Sequence, residues 1–170
     1  MRLLTCIVLF LLPWTSALSE TDAHKSAVWQ AMRAVANSDE FIEERRGREY
    51  EDGYVLPLLF CSEDDRECRQ YQAGVIIDAD FAYRGDYYAQ RNFADCLASG
   101  CGLIDRQPTL SCAWRTVILA SGSPLVSGSD ITAREECLAQ LGELERATAK
   151  SQAGRLFHAV YQEELPREWR

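Results

Sequence analysis

Gly85-Asp86-Tyr87-Tyr88-Ala89-Gln90-Arg91-Asn92-Phe93-Ala94-Asp95-Cys96-Leu97-Ala98-Ser99-Gly100-Cys101 is followed, after a short loop, by Pro108-Thr109-Leu110-Ser111-Cys112-Ala113-Trp114-Arg115-Thr116-Val117-Ile118-Leu119-Ala120-Ser121-Gly122. Its punctuation decides the fold. Asp86 suits an N-cap, because its carboxylate can accept from the free backbone N–H groups of a first turn. Gly100 and Gly122 suit the left-handed turn that closes a helix. Pro108 suits a first helical position, where its missing N–H costs nothing. Tyr87–Ser99 and Thr109–Ser121 are therefore predicted helices, and a loop this short lays them antiparallel. The small residues Ala89, Ala94 and Ala98 let the two approach closely. Tyr88, Phe93, Leu97, Trp114 and Leu119 fill the seam. One such pair cannot cover its own apolar face. Flanking helices at 22–37 and 131–162 are expected to cover it.

On the C-terminal side, Ser123 to Gly128 reads as a linker. Asp130 is the expected cap of a helix Ile131–Leu141, and Gly142 breaks it. A last helix runs from Glu143 to about Gln162, with Leu144, Ala149, Ala153, Leu156, Phe157, Val160 and Tyr161 as its apolar face. Pro166 is expected to end the ordered part. On the N-terminal side, Ser19–Asn37 has helical spacing in Val28, Trp29, Met32, Val35 and Ala36. Glu40–Tyr50 reads as a short exposed helix or a solvated loop. Tyr54–Phe60 carries Pro57 and reads as an extended segment or a helix opening. Cys61–Tyr71 suits a short helix closed by a local bridge, and Gly74-Val75-Ile76-Ile77-Asp78 returns to apolar character.

The first nineteen residues have the order of a secretory signal peptide: Arg2, an apolar run Leu3–Leu12, then Pro13, Trp14 and small residues, with cleavage after Ala17 or Ser19. The run is only about half the ~20 residues that a spanning helix requires. Cys6 stands too early for a lipid-modified cysteine. Export agrees with the remaining cysteines. Cys61, Cys68, Cys96, Cys101, Cys112 and Cys137 are an even set, read as disulfides. A metal site would call for Cys-x-x-Cys pairs or nearby histidines. Six cysteines allow about 15 pairings. The favoured one is Cys61–Cys68, Cys96–Cys101 and Cys112–Cys137, with Cys101–Cys112 and Cys96–Cys112 as rivals.

The chain of 170 residues is acidic, with 26 Asp and Glu against 18 Lys and Arg. Losing the single charge of Arg2 with the leader moves its formal charge from −8 to −9. That balance argues against nucleic acid and anionic lipid as partners. With 47% hydrophobic residues there is material for a substantial core.

Gly85–Gly122 resembles one unit of the Sel-like repeat family, a relative of the tetratricopeptide repeat. The resemblance rests on Gly85, Ala89-Gln90, Asn92-Phe93-Ala94, Leu97, Gly100-Cys101-Gly102-Leu103, Asp105, Ala113-Trp114 and Ala120-Ser121-Gly122. Phe93 stands for the family's Leu, Ala94 for Gly, Leu97 for Tyr and Leu103 for Val, and the loop before the second helix is irregularly spaced. The resemblance implies a mainly α fold, a short α/α repeat with flanking helices and disulfide stabilisation. Its domains would be a signal peptide (1–19), an N-terminal helix with an irregular cysteine-containing segment (20–81), the repeat (82–122) and C-terminal capping helices (123–170). It also implies a bacterial, periplasmic or secreted module that binds another protein or peptide. Tyr87, Tyr88, Gln90, Arg91 and Asp95 on the first helix of the unit would line the groove.

Catalysis has less support. Some cysteine-rich relatives of that repeat are associated with β-lactam hydrolysis or binding, so a cell-wall-related hydrolase is the alternative class. A purely structural or inhibitory disulfide protein is a third. There is no Gly-x-Ser-x-Gly elbow, no spare thiol and no phosphate loop. His24 and His158 read as surface residues. The carboxylate groups Glu40/Glu43/Glu44, Glu63/Asp64/Asp65 and Asp78/Asp80 read as solvated faces rather than calcium or glycosidase sites. No cofactor or metal is expected, nor stable membrane insertion after cleavage.

Overall fold

The computed structural model describes residues 39–170 except Glu63, Gly102 and Leu103. The residues read as a signal peptide and its cleavage point, His24 and the helix expected at Ser19–Asn37 lie outside the described residues. We label the helices in chain order: α1 (Asp39–Arg45), α2 (Arg66–Ala82), α3 (Tyr87–Ser99), α4 (Pro108–Ala120), α5 (Gly128–Ala139) and α6 (Glu143–Tyr161). Among the described residues there are isolated antiparallel bridges, Glu49 with Val55 and Leu58 with Ile104, and no strand.

α3 and α4 form where the local code places them. Asp86 accepts from Ala89 N–H at 2.9 Å. Gly100 ends α3 at φ +80°, and a Cβ there would stand 2.7 Å from the Ile104 carbonyl oxygen, so no other residue fits without movement. Pro108 opens α4. The pair is antiparallel: Gln107 N–H donates to Leu97 O at 2.7 Å, and Ser111 Oγ donates to Ala94 O at 2.8 Å. Phe93 meets Trp114 edge-on at 5.8 Å between ring centroids.

α4 is apolar around most of its circumference, from Leu110 to Leu119, which obliges it to lie inside. It packs against α3, α5 and α6, and α3 packs in turn on α2. Trp114 is fully buried at the centre. Tyr83, from the end of α2, meets it edge-on at 5.0 Å and stacks on Tyr50 at 4.1 Å. Gly85 turns the chain from α2 to α3 at φ +81°, with Tyr161 of α6 packed 3.3 Å from where a Cβ would stand.

The segment expected to be irregular holds a helix of 17 residues, α2. Asp65 caps it, accepting from Cys68 N–H at 2.9 Å. The short helix expected at Cys61–Tyr71 and the apolar run after it are one element, with Gly74 inside. Its inward face includes Gln72 and Asp80 beside Ala73, Ile76, Ile77 and Ala79, so its helical period is hidden in the sequence. α1 answers the first choice at Glu40–Tyr50, since it is a helix of 7 residues. Tyr54–Phe60 is extended, tied by its two bridges.

Three further expectations are corrected. α5 starts at Gly128, so Asp130 is not the N-cap but the third residue of the helix. Its carboxylate reaches back to accept from Ser127 N–H at 2.8 Å, and Ser127 is the cap. Leu144 is 81% exposed. It precedes Ala149 by five residues, about 140° around the helix, and so misses the stripe of Ala149, Ala153, Leu156 and Phe157 that faces α4. The chain also stays ordered past Pro166: Arg167–Trp169 makes a 3-10 turn, with the Arg134 guanidinium 5.2 Å above the Trp169 ring.

The six cysteines pair as Cys61–Cys68, Cys96–Cys101 and Cys112–Cys137, at Cα separations of 5.8, 4.9 and 5.6 Å. The first clamps a loop to α2, the second closes the end of α3, and the third ties α5 to α4. No helix among the described residues is long and apolar enough to cross a membrane.

Candidate functional site

The five groove residues expected on α3 divide between surface and interior. Tyr88 is half exposed, with its ring 5.2 Å edge-on from Tyr87. Arg91 Nε lies 3.2 Å from Asp130 Oδ1. Asp95 is exposed and pairs with Arg115 of α4 at 2.6 Å. Gln90, by contrast, is fully enclosed. Its amide nitrogen donates to Ala82 O and Tyr161 Oη, each at 3.2 Å, so it joins three elements and presents nothing to a partner. Tyr87 is also buried, its hydroxyl donating to Asp130 Oδ2 at 2.8 Å. What remains outside is Tyr88, Arg91 and Asp95. They stand at i, i+3 and i+7, one face of a helix.

Asp130 holds that face in place. Burial raises the pKa of its carboxyl, but the Ser127 backbone N–H, the Tyr87 and Ser127 hydroxyls and Arg91 outweigh burial and leave it below the ordinary value. In the sequence Asp130 shows a capping role alone. Its second role depends on contacts 43 residues away.

A second carboxylate is buried in a similar way. Asp80, read in the sequence as part of a solvated face, accepts from Arg45, from Arg48 and, at 3.0 Å, from Tyr50 Oη. It is nearly enclosed. Burial, then the Asp80 charge, pushes the Tyr50 phenol far up. Burial pushes Tyr54 up to about 12. Two arginines and a phenol saturate Asp80, which makes it an anchor for α1 rather than an acid or base. Of the other carboxylates, Asp65 caps α2, Asp78 accepts from Asn92, and Glu43 pairs with Arg46.

A concavity lies elsewhere. An open groove of about 830 Å³ runs along the outer side of α6, between that helix, the Glu51–Asp52 turn and the C-terminal segment. Lys150, Arg155 and His158 form its helical wall, with Gly154 between them. It has no local sequence signature because its walls come from distant parts of the chain: Gln162 donates to Glu51 at 3.0 Å across 111 residues. His158 engages no serine or cysteine among the described residues, so the groove presents no nucleophile–base pair. No group of His, Cys, Asp and Glu among the described residues is placed to hold a metal ion.

Compared with family models, with curated proteins and with solved structures, the chain finds no match. Fold and site define a mainly helical, disulfide-bonded protein with an ordered polar-aromatic helix face and an open charged groove.

Proposed function

We propose that this chain is an exported protein-interaction module, built on a single Sel-like helical unit at 82–122 and working in the periplasm or outside a Gram-negative cell. The observation that carries the reading is the outer face of α3. Tyr88, Arg91 and Asp95 share it, and Asp130 and Arg115 hold the two charged side chains in place. Aromatic and Arg side chains dominate binding energy at interfaces, and side chains already fixed lose less freedom on binding. The three disulfides fit export, since such bonds persist in oxidising compartments. α2 on one side of the hairpin, and α5 and α6 on the other, supply the cover that a lone unit requires.

A photo-crosslinking amino acid in place of Tyr88, in the exported chain within living cells, tests this. We expect a discrete adduct that Arg91→Ala weakens. A folded, exported chain that yields no adduct from Tyr88 or Arg91 positions overturns the reading.

A further inference from the structure

Arg45-Arg46-Gly47-Arg48 sets three arginines within four residues, in the turn that ends α1. Arg46, Gly47 and Arg48 are exposed, and Gly47 turns the chain at φ +73°. The three guanidinium groups are not equivalent. Arg45 and Arg48 both reach the nearly enclosed carboxylate of Asp80, Arg48 at 3.4 Å. Arg46 meets the exposed Glu43 at 3.2 Å, a contact worth little in water. Arg46 is thus held out to solvent between two anchored neighbours.

Arg84 and Arg106 are exposed in connections too, and the flanks separate them from Arg46. An endoprotease takes its substrate extended, so the chain on both sides of the cut must give way locally. Arg84 lies between helices of 17 and 13 residues, and Arg106 between two of 13. Arg46 lies between a helix of 7 residues and a stretch, 48–60, with isolated bridges alone. An isolated helix below ~12 residues is marginal in water. No disulfide crosses the turn, because the three bridges join 61 to 68, 96 to 101 and 112 to 137. A cut after Arg46 also leaves Arg48 and Tyr50 on the larger piece, where both still serve Asp80.

We propose that Arg46–Gly47 is a processing site for an arginine-specific serine endoprotease, one with a carboxylate in its primary specificity pocket, and that the cut releases α1 and opens the face beneath it. Water is the second reactant. The bond from Arg46 C to Gly47 N breaks, the water oxygen ends on the Arg46 carboxylate, and its two protons go to the Gly47 ammonium. The face beneath lies on a cavity of about 520 Å³, with Ile42, Glu43 and Arg46 on the α1 side and Phe60 and Gln72 opposite. Gln72 is enclosed, and its amide oxygen has no partner among the described residues. Losing α1 uncovers that amide beside the exposed Phe60 ring. The α3 face takes no part, so this adds a switch to the molecule at a separate place.

The test treats the full oxidised chain with trypsin at low ratio under native conditions and reads the products by mass. The first cut between residues 39 and 166 is expected after Arg46. The piece from Gly47 onward should keep its helical circular dichroism and part from the N-terminal piece on gel filtration. Hydrogen exchange should then rise at residues 60–72 while α3 and α4 keep their protection. Arg46→Gln leaves the protease carboxylate without its cation and should slow the cut after residue 46 about a hundredfold. Asp80→Asn frees Arg45 and Arg48 and should add cuts after them. The same exported chain, tagged at its C-terminus and recovered from the cells that make it, should include a form that begins at Gly47. A first cut at Arg84 or Arg106 overturns the site, as does Arg46→Gln cut as fast in the same turn. Collapse of the larger piece, or an N-terminal piece that stays bound to it, overturns the release. Exported chain that always keeps residues 39–46 overturns processing in the cell.

Discussion

The helical pair α3–α4 and the N-terminal part of the described chain, from α1 through α2, are held by different physics. In the pair, every boundary has a residue beside it that explains it: Asp86, Gly100, Pro108 and, at φ +67°, Gly122. Its interior is Phe93, Leu97, Trp114 and their neighbours, bonded by packing. The α1–α2 part has a 7-residue helix, an extended stretch with two isolated bridges, and one long helix. Its fixed points are polar and distant in sequence: Asp80 with Arg45 and Arg48, and Asp52 with Tyr83. Perturbing the pair should unfold the molecule, whereas perturbing the polar anchors should loosen one end.

Trp114→Ala gives the sharpest contrast. The indole is fully buried against Phe93 and Tyr83. Its loss should cost about 3–5 kcal/mol, measured by denaturant unfolding, and hydrogen exchange should rise across all helices together. If exchange rose only in α3 and α4, the two regions would be independent and the contrast would fail.

The disulfides rank next. Cys112 and Cys137 are 25 residues apart, Cys61 and Cys68 only 7. The loop-entropy model gives about 3.5 kcal/mol for the longer closure and about 2.4 for the shorter. Serine pairs replacing each bridge should therefore lower the unfolding free energy in that order. A larger loss from Cys61 and Cys68 would mean that the loop before α2 contributes more than chain entropy.

Asp80→Asn addresses the anchor itself. Arg45 and Arg48 keep part of their surface in water, so the cost falls short of a wholly buried pair broken in half, at about 2 kcal/mol. Exchange should quicken in α1 and in residues 48–58 while α3 and α4 keep their protection. Uniform quickening would contradict the division.

The same division explains what could be read beforehand. α3 and α4 were legible because their start and stop signals lie within a few residues of the ends they set. Cysteine spacing alone left Cys101–Cys112 and Cys96–Cys112 open as rivals; Cys112–Cys137, 25 residues apart, depends on how α5 packs on α4. α2 was not legible: Gly74-Val75-Ile76-Ile77 mimics a strand, and the rest of its inner face depends on Gln72 and Asp80, polar residues buried only because Leu59 O and two arginines meet them. Gln90 is the same case: its place on the first helix of the unit points to a groove, whereas Ala82 O and Tyr161 enclose its amide. The α6 groove had no local signature, because Glu51 and Asp52 reach it from the far end of the sequence.

Asp130 stands where local and distant control meet, and it gives the smallest effect. It satisfies Ser127 N–H locally and Tyr87 and Arg91 at long range. Its carboxyl is held below the usual value in the folded chain, so the unfolded chain binds its proton more readily. The stability it contributes is therefore present above the ordinary aspartate pKa of about 3.9 and is lost as pH falls through the lower folded value. Asp130→Asn should cost about 1 kcal/mol at neutral pH, the size of a lost helix cap, and the gap to wild type should close in acid. Tyr87→Phe removes one of the two distant donors, so it should leave the local Ser127 bond and the Arg91 pair in place and reproduce part of that gap. Equal effects of the two variants would assign the whole contribution to the Tyr87 contact; no effect of Tyr87→Phe would assign it to the Ser127 bond and the Arg91 pair together.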